Sequence, residues 1–127
     1  MTENKIPRAP KGLGSRGKQL WRELHAEFDM SADPHRRVLV EDACREADLI
    51  DRLQAVVDAA EDLRVRGSQG QPVKMPELEE VRLHRKVFSD LIKALALPDT
   101  DELADAKAKH LSDVRRTVAK QARFKVV

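Results

Sequence analysis

Apolar residues recur at helical spacing in four blocks, and stretches rich in Gly, Pro and polar residues separate them. In the first block Leu20, Trp21, Leu24 and Phe28 fall within about a 100° arc at 3.6 residues per turn, which predicts a helix from Ser15 or Gly17 to Phe28. The single Trp21 sits on that stripe and reads as a core anchor. After a short turn at 29–33, Asp33 followed by Pro34 gives the helix start expected of an N-cap acid and a proline at the first helical position. The second helix is predicted over 34–61. Its stripe holds Leu39, Ala43, Ile50, Leu53, Val57 and Ala60, interrupted by Glu46 and widened by Val40, Cys44 and Ala47 on one side and by Val38, Leu49 and Val56 on the other. Together these positions cover about 240° of the helix, far more than the ~100° stripe of a surface helix. One partner helix cannot cover such an arc. The helix is therefore central in its own fold or buried between subunits, and the scarcity of aromatic side chains favours subunits.

The third block, predicted over 77–96, opens on Pro76 and the acids Glu77, Glu79 and Glu80, which suit the positive end of a helix dipole. Leu78, Val81, Phe88, Leu91, Ile92 and Leu95 share an arc of about 140°, and Leu97-Pro98 ends the helix. Helix, break and helix predict a long antiparallel hairpin, 34–61 against 77–96. The break at 63–75 has valines suited to strands and glycines suited to a turn, so its flanks 63–65 and 71–73 can pair as a small β-hairpin around Ser68-Gln69. A fourth helix, from Leu103 to about Ala122, follows an acidic linker with capping chemistry at Thr100 and Asp101, and its face carries Leu103, Leu111, Val114, Val118 and Ala122. The expected fold is all-α. A basic arm covers 1–14, where prolines and glycines forbid regular structure and predict flexibility. A helical core and oligomerisation domain covers 15–98, and a C-terminal helix with a basic tail covers 99–127.

Charge changes the picture. The chain of 127 residues carries a net charge of only +2, but the charges are segregated. Residues 1–18 hold five Lys/Arg against one Glu, and residues 107–127 hold seven against one Asp, while residues 19–106 hold twelve against twenty acids. Basic ends on an acidic centre point to an anionic partner. The first candidate set for DNA contact is Lys5, Arg8, Lys11, Arg16 and Lys18 with Arg36 and Arg37, and the second is Arg115, Arg116, Lys120, Arg123 and Lys125. The candidate oligomer interface is Leu39, Val40, Ala43, Cys44, Ala47, Ile50, Leu53 and Val57.

Site chemistry for catalysis is not visible in the sequence. The histidines His25, His35, His84 and His110 are scattered, without the i, i+4 pairing of a zinc helix, and read as surface or boundary residues. One cysteine, Cys44, can build neither a disulfide nor a structural zinc site, so a reducing cytosol is expected. G-S-Q-G-Q-P at 67–72 lacks the G-K-[ST] ending of a phosphate loop. No enzyme activity, cofactor or metal is expected. No apolar run approaches the ~18 residues of a membrane span, and the N-terminus lacks the apolar run of a secretion signal.

Four elements in this order resemble the small terminase subunit of tailed bacteriophages. They are P-K-G-L-G-S-R-G-K-Q-L-W at 10–21, E-D-A-C-R-E-A-D at 41–48, G-S-Q-G-Q-P at 67–72 with the helix-starting Pro76, and L-A-L-P at 95–98. Met75 stands where a better helix cap is expected, and residues 99–127 carry no part of the likeness. The resemblance implies an all-helical subunit that assembles as a ring, of roughly eight to twelve copies. It also implies that the subunit binds double-stranded viral DNA in the host cell cytoplasm. There it would regulate or recruit the large ATPase and nuclease subunit during genome packaging. The alternative is a small dimeric helical DNA-binding transcriptional regulator, since two helices around a short turn also admit a helix-turn-helix reading.

Overall fold

The computed structural model describes residues 5–125, and side-chain environments through residue 123. Residues 1–4 of the basic arm, residues 126–127 of the tail and the Lys125 side chain lie outside that description. The element order is α1 (Ser15–Glu27), α2 (Pro34–Ala59), β1 (Arg64–Arg66), β2 (Pro72–Lys74), α3 (Pro76–Leu95) and α4 (Asp101–Lys125). The chain divides into two compact units, Met1–Ala96 and Leu97–Val127.

The first unit is built on α2. Both α1 and α3 pack against it. Its Val40, Ala43 and Cys44 are fully buried, and Ala47 nearly so. These four are half of the positions read from sequence as an oligomer face, and that expectation needs correction. The width of the apolar arc is met mainly within the chain, by two helices lying on different sides of α2. Leu39, Ile50, Leu53 and Val57 are half-buried. Val38, Leu49 and Val56 stay exposed.

The way α1 begins explains two sequence elements together. Its N-cap is Gly14, which has no side chain to satisfy the free amides of the first turn, and that turn carries no acidic residue. The carboxylate of Asp48, from α2, does the work instead. The Gly14 N–H donates to Asp48 Oδ2 at 2.7 Å, and the Gly17 N–H donates to Asp48 Oδ1 at 2.7 Å. A negative charge thus sits at the positive end of the α1 dipole, held by two charge-assisted bonds. The approach is so close that a Cβ on Gly17 would lie 2.8 Å from the Cys44 carbonyl oxygen and 2.9 Å from Asp48 Cγ. Only glycine fits there.

The α2–α3 hairpin is sealed at both ends. At one end Arg36 donates from Nε to the Leu95 carbonyl at 3.1 Å, satisfying an orphan acceptor at the α3 C-terminus, and its guanidinium also pairs with Asp33 at 3.1 Å. Asp33 does occupy the N-cap of α2, but its carboxylate serves Arg36 and makes no cap bond to the backbone. The α3 helix stops at Ala96, which adopts the left-handed conformation (φ 48°). At the other end β1 and β2 pair antiparallel in the register Arg64↔Lys74, Val65↔Val73, Arg66↔Pro72. Met75 continues this ladder, donating its N–H to the Leu63 carbonyl at 2.9 Å, and its side chain is buried. The residue that looked like a poor cap is a core residue at the junction of hairpin and helix. Between α2 and α3, His84 Nδ1 meets Glu46 at 2.6 Å, which explains why an acid interrupts the apolar stripe of α2.

In the second unit α4 starts two residues before the expected Leu103. Thr100 is the cap: its Oγ1 accepts the Leu103 N–H at 3.2 Å. Asp101 and Glu102 occupy the first turn, and Lys107 pairs with Asp99 at 2.9 Å. Every side chain of residues 101–123 is exposed.

The Asp48 clamp generates a stability prediction. Asp48→Ala removes two hydrogen bonds to a charged acceptor and leaves the Gly17 amide unpaired, a loss of about 2–4 kcal/mol. Gly17→Ala overpacks the same contact at a cost of about 1–3 kcal/mol. Chemical denaturation of each variant checks this; a loss below about 0.5 kcal/mol for Asp48→Ala would show that the clamp adds little to folding.

Candidate nucleic-acid interface

The clamp on α1 positions the segment that precedes it. Residues 5–14 have no regular secondary structure, yet the segment is held at three points. Leu13 is buried, the Gly14 amide is bound by Asp48, and the Trp21 Nε1–H donates to the Pro7 carbonyl at 2.9 Å. Pro7 and Pro10 fix the backbone between these points. The predicted flexible arm is, in its described part, a strap laid across α1 and the start of α2.

Strap and helix enclose an open cleft of about 630 Å³. Four cations line it: Arg8 and Lys11 from the strap, Arg37 and Arg45 from α2. Its apolar surface comes from Trp21 and Val38, flanked by Pro7 and Pro10. The one acid, Glu41, is paired with Arg45 one helical turn away. Arg8, Lys11 and Arg37 make no ion pair among the described residues. Like charges gathered without counter-charges repel one another, and a polyanion relieves that repulsion.

The structure thus brings together three residues of the first sequence-predicted set, Arg8, Lys11 and Arg37. It does not bring in the others. Lys5 and Lys18 are exposed elsewhere on the surface. Arg16 lies in a separate recess beside Ala47, Ile50 and Phe88. Arg36 is held inside the fold by the Leu95 carbonyl and Asp33 and does not line the cleft. In the second unit Arg115, Arg116, Lys120 and Arg123 are exposed on α4 and make no ion pair among the described residues. Arg45 was missed from the sequence. Its signal was the i, i+4, i+8 spacing of Arg37, Glu41 and Arg45, which puts all three on one face of α2.

Beneath the cleft lies His25, which is 3% exposed and corrects the surface reading of its sequence position. Its ring stands 4.2 Å from that of Trp21, centroid to centroid, and its Nε2 is buried without a hydrogen-bond partner. Burial, aided by the charge of Arg37, holds the His25 pKa below its ordinary value of 6.5. Cys44 is also buried, and burial pushes its thiol up to about 11. It is protonated at neutral pH and acts as a packing residue, not as a nucleophile or ligand. Among the described residues no group of three or more His, Cys, Asp or Glu side chains could hold a metal ion. No described helix is long and apolar enough to cross a membrane.

No protein-family model, curated protein or solved structure matches the chain.

The depressed His25 sets a pH dependence whose sign is fixed. Near pH 7.5 the imidazole is neutral in both folded and unfolded chains. Below pH 6.5 the unfolded chain takes up a proton that the folded chain resists, so stability falls as the pH drops through the lowered folded value. The denaturation midpoint is expected to drop between pH 7.5 and 5.5 in the wild type and to drop less in His25→Leu. Equal drops in the two proteins would remove His25 as a cause.

Proposed function

We propose that this chain is a small terminase subunit. It binds double-stranded viral DNA in the host cell cytoplasm and regulates or recruits the large ATPase and nuclease subunit during genome packaging. It works as a ring of roughly eight to twelve copies. The observation that carries this reading is the contact between Asp48 and the amides of Gly14 and Gly17. Those residues belong to two of the four elements by which the sequence resembles that family, and they interlock 31 and 34 residues apart. The other two elements also have structural work: G-S-Q-G-Q-P forms the turn of the β-hairpin, and L-A-L-P ends α3 at the buried Leu95.

Two further features support the reading. Intrachain packing leaves large apolar side chains in water: Val38 at 60% exposure, Leu83 at 50% and Val56 at 47%. Exposed apolar residues on neighbouring helices are what an assembly covers. The cations of the cleft and of α4 supply phosphate contacts that are weak singly and add through the copies of a ring. The alternative is a dimeric regulator with α2 as a groove-reading helix, on which Val40, Ala43, Cys44 and Ala47 are buried while Arg37, Val38 and Arg45 stay exposed.

Light scattering of the purified chain and duplex binding by fluorescence anisotropy at about 50 and 200 mM salt test the proposal. The expected result is a closed oligomer well above a tetramer, with DNA affinity falling at least tenfold between the two salts. A monomer at high concentration without salt-sensitive DNA binding would overturn it. A dimer bound to a palindromic site would give the protein to the regulator class.

A further inference from the structure

The hairpin of β1 and β2 has a polarity that its role as a connector does not require. All six strand residues are exposed. Residues paired directly across two strands point to the same face, and so do residues two apart on one strand. The register therefore places Arg64, Arg66 and Lys74 together on one face, with Pro72, and places Val65 and Val73 on the other. Arg64 and Lys74 stand directly opposite each other. Like charges in that position destabilise a strand pair. Asp62 offsets Arg64, at 3.2 Å, but Arg66 and Lys74 make no ion pair among the described residues. A charge that only guards a strand edge from aggregation does not need three cations on one face.

The ribbon is also firmly closed. The Gly67 N–H donates to the Gln71 carbonyl at 2.7 Å, the Gly70 N–H to the Gly67 carbonyl at 3.0 Å, and the Gln69 N–H to Gln71 Oε1 at 2.9 Å. Gly70 has φ +81°, a conformation that side chains rarely adopt. A ribbon fixed before binding loses little entropy on docking. Its two strands lie about 4.8 Å apart, narrow enough for the ~12 Å major groove of B-form DNA.

We propose that the 64–74 hairpin is a second DNA-contacting element, separate from the cleft, whose cationic face lies on the phosphates of a duplex through Arg66 and Lys74. The cleft lies along the first half of α2 and the hairpin follows its far end, so at 1.5 Å per residue about 20 Å of helix separates Arg45 of the cleft from Ala59. Each subunit thus grips a duplex at two separated places, or two stretches of one wrapped duplex. This proposal deepens the DNA-binding reading and rests on it.

The full chain, its Arg66→Gln/Lys74→Gln double variant and an Arg8→Gln/Lys11→Gln control are titrated with one duplex across a salt series. Far-ultraviolet circular dichroism and thermal melting show that each variant is folded. The two hairpin substitutions relieve the facing charges, so their melting temperature is expected to match or exceed that of the wild type. If each lost contact releases its share of counterions, the slope of log affinity against log salt becomes shallower by about 1.8, and affinity at low salt falls about tenfold or more on every duplex tested. Wild-type slope and affinity in a folded hairpin variant, with the cleft variant weakened, overturn the hairpin proposal and leave the DNA-binding reading standing. Absence of salt-sensitive binding in the wild type overturns both.

Discussion

The Asp48 carboxylate is the point on which the first unit turns. A helix that begins on glycine, with Arg16 and Lys18 in its opening turns and no acid there, has a poor start of its own. Asp48 supplies from α2 both the acceptor and the negative charge that α1 lacks. The supply works only at backbone contact distance, which demands glycine at 17 and is eased by the small side chains of Ala43, Cys44 and Ala47 on α2. Once α1 is docked, Trp21 faces the strap and donates its Nε1–H to the Pro7 carbonyl. The cleft that gathers Arg8, Lys11, Arg37 and Arg45 is a consequence. A single carboxylate on a helix face thus reaches, through one helix start and one indole, to the surface charge that a polyanion would meet.

A second constraint follows from the width of the α2 arc. Two helices from the same chain cover most of it, and a few aliphatic side chains are left over. Had the arc been narrower, α1 and α3 could not both dock. Val38, Leu49 and Val56 on α2 with Leu83, Val87 and Ile92 on α3 are the remainder. Exposed aliphatic side chains beside buried ones are surface that the proposed assembly would cover.

Much of the architecture was legible because it is written in local signals. Helical periodicity located α1, α2 and α3 to within a residue or two. Glycines flanked by valines marked a hairpin whose strands lie one residue from their expected place, at 64–66 and 72–74. The Thr100 cap announced α4. What stayed hidden depends on partners far away in the chain. Nothing local says that Arg36 will donate to a carbonyl 59 residues away, or that Glu46 will meet His84 38 residues away. His25 was misjudged although it stands one turn after Trp21: the buried face of α1 runs Gly17, Trp21, His25, at the edge of the apolar arc read from the sequence. The assembly reading of Val40, Ala43, Cys44 and Ala47 failed for a related reason: a wide apolar arc specifies that neighbours exist, not whose chain they come from. Arg45 stood beside its partners in helical spacing but lay within a stretch dominated by the apolar pattern.

The glycine run and the acidic element were visible as sequence elements, but their connection was not. The central claim is that a carboxylate holds two amides, and amide hydrogen exchange followed by nuclear magnetic resonance tests it most directly. The Gly17 amide is expected to exchange only through opening of the whole first unit, and the Gly14 amide to be strongly protected although its residue is exposed. Both should become fast in Asp48→Ala while amides in the middle of α2 stay slow. Rapid exchange of Gly14 and Gly17 in the wild type, at the rate of an unstructured segment, would contradict the claim.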